Sequence, residues 1–297
     1  MPTSDRWRSI ALLLLIAVLF GANHVAARLT FDHGTGVTFA VAVRSAMTAL
    51  VLMLLLTLSR PAGRLTAPTF RRALLVGLLV SFQSFCLYSA VARIPVALAL
   101  LVFNTFPMVL GLLSWATGAE RPHPRAMIAM PVALVGLAIA LDVFGWAPAA
   151  ARASQGQIGT GVAFAMGASL SMGMVLLLTT KWLSAVDGRM RTLILMSVVA
   201  LVTFCAGMIG GGFAPPADGT GWLGLALLTA FYGIAITVLF TVLPKMGAVN
   251  NAAILNFEPV AALILGWLIL GQSIAASQIF GGVVVIAAII VLTTGKR

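Results

Sequence analysis

The sequence predicts an all-α membrane protein with ten transmembrane helices, arranged as two inverted five-helix repeats with cytoplasmic N- and C-termini. Three observations lead to this prediction. The 297-residue chain is 61% hydrophobic and only 8% charged, whereas about 25% of the residues in soluble proteins are charged. Apolar runs recur along its whole length, and residues of the first half return in the second half at a constant offset.

The ten predicted helices are apolar runs separated by charged residues, proline and glycine. Each approaches the roughly 20 apolar residues that a helix needs to cross a bilayer. The first five are expected at Ser9–Ala27, Val37–Leu58, Ala73–Val91, Val96–Thr117 and Arg125–Leu141. The second five are expected at Gly159–Thr180, Thr192–Phe213, Gly221–Leu243, Asn250–Leu270 and Ala275–Thr293. A multi-pass protein of the bacterial inner membrane is therefore expected, with the lipid bilayer as its main partner.

The net charge of +11 comes from eighteen Lys and Arg residues, which lie mainly in the short loops. With a cytoplasmic N-terminus, fourteen of them fall on the cytoplasmic side and three, Arg28, Arg93 and Arg152, fall outside. Arg44 is left inside the second helix. Such an excess on one side is the usual orientation signal of a membrane protein. The positive charge thus predicts two cytoplasmic termini and no nucleic-acid partner.

An internal repeat becomes visible when the chain is shifted over itself by 152 residues. The shift places Asn104 on Asn256, Pro107 on Pro259 and Trp115 on Trp267. It also places Gly21 on Gly173 and Arg93 on Lys245. The repeats are expected at residues 1–148 and 157–297, and because each has five helices, the second must enter the membrane upside down. Inverted repeats with a substrate site between them, near the bilayer midplane, are typical of secondary transporters.

The chain resembles the drug/metabolite transporter superfamily, and more narrowly its EamA-type exporters. The stretches that carry the resemblance run from Phe103 to Arg121 and from Phe257 to Ser273. The family usually has Gly-Glu in the turn after the fourth helix of each half, whereas the second copy here has Gly271-Gln272. The resemblance implies an exporter of small metabolites, most of all aromatic and other neutral amino acids.

Polar side chains inside the spans are the candidates for a substrate cavity, because buried polar groups in a membrane require partners and often mark function. Most of them here are neutral, which suits a neutral or zwitterionic ligand. The candidates are Asn23, His24, Arg44, Gln83, Ser84, Tyr88, Phe103, Asn104, Tyr232, Asn256 and Glu258. Asn23 and His24 are expected near the outer end of the first helix.

The two charged candidates have alternative interpretations. Glu258 is the only acid well inside a predicted span. It could bind a substrate ammonium group, carry a coupling proton or stabilise a neighbouring helix. Arg44 lies one third into the second helix, where its side chain could reach the interface by snorkelling. The other interpretations are that Arg44 forms an ion pair or that it binds a substrate carboxylate.

Pro107 and Pro259 are candidate hinges, because proline removes a backbone donor and kinks a helix. The freed carbonyl oxygen can be satisfied by a nearby side-chain amide, which Asn104 and Asn256 could supply. A kink at the same position in both halves suits alternating exposure of a central cavity. A simple packing kink is the other interpretation.

The sequence therefore predicts a secondary transporter that exports small metabolites, most of all amino acids, by alternating access. A multidrug carrier, a nucleotide-sugar-like carrier and a passive channel are the alternatives within transport. An enzyme is not expected, because no histidine is placed to activate a serine within the bilayer and no pair of membrane aspartates exists. No catalytic residue, metal site or cofactor is expected, and the oligomeric state stays open.

Overall fold

The computed structural model describes residues 3–58, 65–118, 131–132, 135–136, 138–139, 155–242, 257–272 and 275–294, and every regular element in these ranges is a helix. The first half contains α1 (Thr3–Asp32), α2 (Val37–Leu58), α3 (Ala67–Val91), α4 (Val96–Phe103) and α5 (Phe106–Ala116). The second half contains α6 (Gln155–Trp182), α7 (Gly188–Gly210), α8 (Gly219–Val242), α9 (Glu258–Leu270) and α10 (Ala276–Thr294). The all-α class is confirmed for this part of the chain.

Seven segments of the described residues are long and apolar enough to cross a membrane. They are Leu14–Asp32, Val37–Leu58, Ala67–Val91, Val96–Ala116, Ile158–Trp182, Gly188–Gly210 and Gly219–Ile236. Shorter apolar helices are formed by α9 and by Ile279–Ala288 of α10. Most of the predicted fifth helix and the first residues of the predicted ninth helix lie outside the described residues.

The predicted fourth span is interrupted. A single helix was expected over Val96–Thr117, but α4 ends at Phe103 and α5 begins at Phe106. Pro107 lies in the first turn of α5, where its missing N–H costs nothing because the first turn of a helix has no intrahelical acceptors. The Asn104 amide donates to the carbonyl oxygen of Leu100 at 2.8 Å, and the Thr105 hydroxyl donates to that of Val102 at 2.7 Å. These two hydrogen bonds satisfy carbonyl oxygens at the end of α4. The kink expected near Pro107 is therefore an interruption between two separate helices.

The first helix extends beyond its predicted end. Arg28 was assigned to an outer loop, but it lies within α1 and forms an ion pair with Asp32 at 2.8 Å, one turn later. It also donates to the backbone oxygen of Val91 at 3.1 Å, which ties α1 to the end of α3. Asn23 and His24 consequently lie near the middle of the apolar segment Leu14–Asp32, not near its end. At 1.5 Å per residue, Asn23 is about 14 Å from Asp32 along the helix axis.

The two halves pack against each other through matched pairs of helices. The most extensive contacts are those of α1 with α8, α3 with α6, and α2 with α7. By predicted order, α1 and α6 are the first helices of their halves, whereas α3 and α8 are the third. Exchanging the halves therefore maps the pair α1–α8 onto the pair α6–α3. The interface has the pairing expected of a two-fold repeat.

The repeat also recurs in one close helix contact. A Cβ atom built on Gly21 of α1 would lie 2.9 Å from the backbone nitrogen of Ala262 in α9. A Cβ atom built on Gly173 of α6 would lie 3.2 Å from the backbone nitrogen of Leu110 in α5. Gly173 and Ala262 follow Gly21 and Leu110, respectively, by the same 152 residues. Both glycines let two helices of different halves approach at backbone distance.

The turn between α1 and α2 binds the segment between α7 and α8, and we call this contact the interloop clasp (residues 30–38 with 211–221). Gly36 donates its backbone N–H to the oxygen of Ala214 at 2.9 Å, and Ala217 donates to the oxygen of His33 at 3.0 Å. The His33 ring nitrogen Nδ1 lies 2.7 Å from Asp218 Oδ2. The clasp thus joins the two halves at one end of the bundle.

Asp218 is held as a carboxylate by this arrangement. The backbone N–H of Gly221 donates to its Oδ1 at 2.8 Å. That hydrogen bond, followed by the one with His33, holds the pKa of Asp218 below its usual value. Hydrogen bonds to the charged form lower the pKa of a carboxyl group in this way.

Candidate functional site

Polar side chains from five helices meet at the interface of the two halves, and we call this group the polar cluster. Its members are Asn23 and His24 of α1, Arg44 and Ser45 of α2, Gln83, Ser84 and Tyr88 of α3, Tyr232 of α8, and Glu258 of α9. All except Ser45 are among the residues that the sequence predicts for a cavity. Ser45 joins the group through its hydroxyl oxygen, 3.5 Å from Arg44 Nη2, and Gln83 joins it by accepting a hydrogen bond from the Ser84 hydroxyl at 3.4 Å. The contacts below connect the other members.

Arg44 is the charged centre of the cluster and is only 2% exposed. Its Nη1 donates to the Tyr88 hydroxyl at 3.3 Å, and its guanidinium carbon lies 3.8 Å from the centre of the Tyr232 ring. Its Nη2 is 3.5 Å from the Ser84 hydroxyl oxygen. The Nε atom is buried and has no hydrogen-bond partner in the described part of the chain. All these partners are neutral.

The environment of Arg44 bears on two of the interpretations offered for it. The side chain does not snorkel, because neighbouring helices enclose it. Nor does it form an ion pair within the described residues, where the carboxylates in salt-bridge contacts belong to Asp32, Asp187, Asp218 and Glu258, each with another partner. Within the described residues, the buried guanidinium of Arg44 consequently has no carboxylate in direct contact with it.

Glu258 contacts the first helix rather than Arg44. Its Oε1 lies 3.2 Å from His24 Nε2, and the two side chains are 17% and 6% exposed, respectively. The contact depends on Gly21, because a Cβ atom there would lie 3.0 Å from the backbone oxygen of Glu258. The second ring nitrogen of His24, Nδ1, is buried, and no hydrogen-bond partner for it occurs among the described residues.

Tyr88 connects the two charged parts of the cluster. Its hydroxyl donates to Asn23 Oδ1 at 3.1 Å and accepts from Arg44 Nη1. Its ring centre lies 5.0 Å from the Arg44 guanidinium carbon and 5.4 Å from the centre of the His24 ring. Arg44 and His24 therefore lie against the same fully buried tyrosine.

Two further aromatic residues border the cluster, and the sequence analysis missed both. Phe20 lies 6.1 Å from Tyr232, and Phe31 lies 6.2 Å from Tyr88, each measured between ring centres in an edge-to-face arrangement. Phe20, His24 and Phe31 are spaced by four and seven residues, which places them on one face of α1. This helical spacing is the signal that could have identified them.

The remaining predicted site residues lie elsewhere or outside the described part. Asn104 uses its amide within its own helix end. Phe103 is buried against Phe106 at 5.4 Å between ring centres. Neither has a hydrogen bond or ring contact to the polar cluster among the described residues. Asn256 lies outside those residues, and Pro259 is buried in the first turn of α9, next to Glu258.

An apolar crevice between α4, α9 and α10 is separate from the cluster. It is lined by residues such as Leu98, Leu101, Leu263 and Val283, with Gln272 as a polar member. Val283 is 59% exposed on the outer surface of the bundle. A surface of this composition suits contact with lipid chains better than recognition of a polar ligand. For metal ions, no suitable group of three His, Cys, Asp or Glu residues occurs in the described ranges.

The comparison with protein families decides the assignment. The model of the EamA-like transporter family matches the chain twice, over residues 7–141 and 159–294. The chain belongs to the EamA-like transporter family. The starting points of the two matches are 152 residues apart, which is the offset of the internal repeat. The resemblance seen in the sequence is thereby confirmed, and this family consists of membrane transporters.

A solved structure shares the fold of this chain over nearly its whole length. It is titled only "Crystal structure of protein", and it is 18% identical in sequence with a TM-score of 0.61. The match covers 96% of this chain and 96% of the other. At this identity the likeness concerns the fold alone. No curated protein matches the chain.

Proposed function

We propose that this EamA-family protein is an inner-membrane secondary transporter that exports amino acids, aromatic and other neutral ones above all, by alternating access at the polar cluster. The repeated architecture and the family support transport of small metabolites. The position of the cluster between the halves, near the middle of the apolar segment of α1, supports its role as the binding site.

The observation that carries the substrate proposal is the uncompensated charge of Arg44. Burying a charge costs several kcal/mol unless a partner compensates it, and the partners of Arg44 in the described residues are neutral hydroxyl groups and aromatic rings. Its buried Nε also lacks an acceptor. A substrate carboxylate supplies both the missing negative charge and the missing acceptor. We therefore assign Arg44 to the carboxylate of the amino acid.

The rest of the cluster fits the other parts of such a substrate. Glu258 is an acid that can pair with an ammonium group, and it is 17% exposed at its side chain. Tyr88 and Tyr232, with Phe20 nearby, supply aromatic surface for an apolar or aromatic side chain. A zwitterion with a hydrophobic side chain satisfies all three environments at once.

Movement of the two halves would expose the cluster to each side of the membrane in turn. The break between α4 and α5 at Asn104–Thr105, next to Pro107, gives the fourth span a position at which its two parts can change angle. Export rather than uptake rests on the likeness to EamA-type exporters. Pro259 is the proposed counterpart of Pro107 in the second half.

The test is a flux assay with the purified protein in proteoliposomes, using labelled amino acids with and without a proton gradient. We expect saturable counterflow of phenylalanine and leucine. Arg44→Gln should abolish it, whereas Arg71→Gln should not, because Arg71 is an exposed arginine at the start of α3. Absence of flux for every amino acid, in protein that is folded, contradicts the substrate proposal.

The same assay separates the alternatives within transport. A passive channel conducts without saturation or counterflow. A nucleotide-sugar-like carrier requires several cations for its phosphates, whereas Arg44 is the single Lys or Arg among the cluster residues named above. A multidrug carrier transports lipophilic cations and is inhibited by Glu258→Gln but not by Arg44→Gln.

A further inference from the structure

The carboxylate of Glu258 is already occupied in this structure. His24 Nε2 is 3.2 Å from it, both groups are largely buried, and they come from different halves of the chain. Arg44 differs, because among the described residues it has no acid beside it. Of the two charged groups proposed to bind the ends of an amino acid, one has an internal partner and the other has none.

We propose that His24 is an internal stand-in for the ammonium group of the substrate. The inference rests on the proposed function. In the empty site, His24 pairs with the Glu258 carboxylate. A bound substrate ammonium group replaces His24 as the partner of that carboxylate. His24 is therefore a specificity-determining residue: it sets how strongly an ammonium group is required.

The physical reason is the cost of an unpaired carboxylate inside the bundle. Removing one partner of a buried charged pair is strongly destabilising, because the remaining charge stays buried and unsatisfied. With His24 present, an ammonium group only replaces one partner of Glu258 by another, so its net contribution to binding is small. A substrate that lacks the ammonium group leaves the His24–Glu258 contact intact. Such a substrate is tolerated as long as its carboxylate reaches Arg44.

A second observation supports a ligand at this place. His24 Nδ1 and Arg44 Nε are both buried without partners, in side chains that lie against the same Tyr88 ring. Buried polar atoms without partners are rare in native proteins, and a bound water, an ion or a functional role accounts for many of them. One of these atoms belongs to Arg44, to which the substrate carboxylate is assigned, and the other belongs to His24, the partner of Glu258.

The chain thus distinguishes the two ends of its substrate. The carboxylate is obligatory, because the described contacts of Arg44 are all with neutral groups and the Glu258 carboxylate is paired with His24. The ammonium group is optional, because His24 replaces it. The wild-type protein is expected to carry phenylalanine and 3-phenylpropionate, which differ only in that ammonium group, with similar KM values.

The decisive variants are His24→Leu, which removes the donor at similar size, and His24→Gln, which keeps an N–H donor. In His24→Leu, Glu258 is paired only when an ammonium group is bound. The KM for phenylalanine should fall together with kcat, because release becomes slow, and the KM for 3-phenylpropionate should rise. We expect the ratio of the two KM values to change by about tenfold or more. His24→Gln should restore most of the wild-type ratio.

A double variant keeps the test independent of folding. His24→Leu/Glu258→Gln contains no unpaired buried carboxylate, so it is expected to fold; it should accept 3-phenylpropionate and have a raised KM for phenylalanine, whose ammonium group no longer meets a carboxylate. Wild-type transport of phenylalanine with an unchanged KM ratio in His24→Leu overturns the role of His24 and leaves the proposed function intact. Failure of the wild-type protein to transport or bind either compound overturns both.

Discussion

Tyr232 covers the guanidinium group of Arg44, and this contact joins the second half of the chain to the first. The guanidinium carbon lies 3.8 Å from the ring centre, and the Tyr232 hydroxyl is 3.7 Å from the sulfur of Met196. A guanidinium over an aromatic face is stabilised by the negative potential of the ring. The ring, rather than the hydroxyl, is the part that orients Arg44.

Tyr232→Leu should therefore raise the KM for amino acids, whereas Tyr232→Phe should leave it near the wild-type value. A buried cation–π contact contributes about 0.5–2 kcal/mol, which corresponds to a change of about 2- to 30-fold. Counterflow in proteoliposomes measures both variants under the same conditions. Equal effects of Phe and Leu would show that the hydroxyl, not the ring, is required.

At the scale of single residues, the sequence identified most of the polar cluster but not its pairings. His24, Arg44, Tyr88, Tyr232 and Glu258 were predicted because polar groups are expensive in an apolar span and need partners. Which of them pair depends on helix packing between distant segments, so Arg44 was expected to snorkel or to find an acid. The single-residue pattern also did not reveal that the Asn104 amide would be used within its own helix end.

At the scale of helices, Gly21 controls how closely α1 approaches α9. A Cβ atom at this position would meet the Ala262 nitrogen at 2.9 Å and the Glu258 oxygen at 3.0 Å. These are backbone atoms, which cannot turn away as a flexible side chain can. A methyl group there forces the two helices apart and lengthens the contact between His24 and Glu258.

Gly21→Ala should destabilise the protein by about 1–3 kcal/mol, the usual cost of overpacking, and should change the KM for amino acids. Gly173→Ala, its repeat equivalent, should destabilise similarly without changing the KM, because its contact lies at Val109 and Leu110 instead. Gly159→Ala is the control, since a Cβ atom there meets nothing within 4 Å. Thermal unfolding in detergent and counterflow kinetics provide the two measurements. A Gly159→Ala effect as large as that of Gly21→Ala would contradict the packing argument.

The interloop clasp gives a prediction for the dependence of stability on pH. Because the folded state lowers the pKa of Asp218, this residue stabilises the protein above its ordinary pKa of about 3.9. That contribution is lost as the pH falls through the lower folded-state value. The clasp should therefore hold at neutral pH and weaken only in strong acid.

Asp218→Asn is the variant that tests this. The wild-type protein should have a higher Tm than Asp218→Asn at about pH 5, and the difference should shrink below about pH 3.9. His33→Gln should keep most of the pH dependence, because the Gly221 hydrogen bond is the larger cause of the lowered pKa. Unfolding in detergent across this pH range measures it. A difference that persists unchanged in acid would exclude Asp218 as the titrating group.

The ends of helices were the least predictable elements. The predicted first helix ended at Ala27, before the charged Arg28. In the structure Arg28 and Asp32 form an ion pair one turn apart, and α1 continues to Asp32. Gly118 and Gly271, in contrast, end α5 and α9 with positive φ values of 69° and 61°. Glycine adopts this conformation at little cost and commonly follows the end of a helix. A glycine of this kind indicates a helix end from the local sequence. A charged residue does not, because it can pair with another residue of the same helix.

At the scale of the whole molecule, the constant offset of 152 residues was the most informative sequence feature. It anticipated the two family matches, and it relates the Gly21 contact to the Gly173 contact. The offset could be found from the sequence alone, because comparing the two halves of a sequence requires no knowledge of how the helices pack. The break at Asn104–Thr105 has no such signature, since Pro107 is compatible with both a kink and an interruption.

The orientation of the bundle can be tested across one helix, α7. The first turn of α7 carries Arg189 and Arg191, whereas the segment between α7 and α8 contains Asp218 and no Lys or Arg. Positive charge is retained on the cytoplasmic side, so we expect residues 183–187 to face the cytoplasm and the interloop clasp to face outward. The exposed residues Ser184 and Thr220 mark the two ends.

In a background of Cys86→Ala and Cys205→Ser, Thr220→Cys should react with a membrane-impermeant maleimide in intact spheroplasts. Ser184→Cys should react only after the membrane is opened. Both side chains are exposed, so a difference in labelling reports the side of the membrane rather than burial. The reverse pattern would invert the whole bundle, because the odd number of spans predicted in each repeat links the orientation of one half to that of the other. It would also place the clasp at the cytoplasmic end, where acidification outside the cell could not reach Asp218.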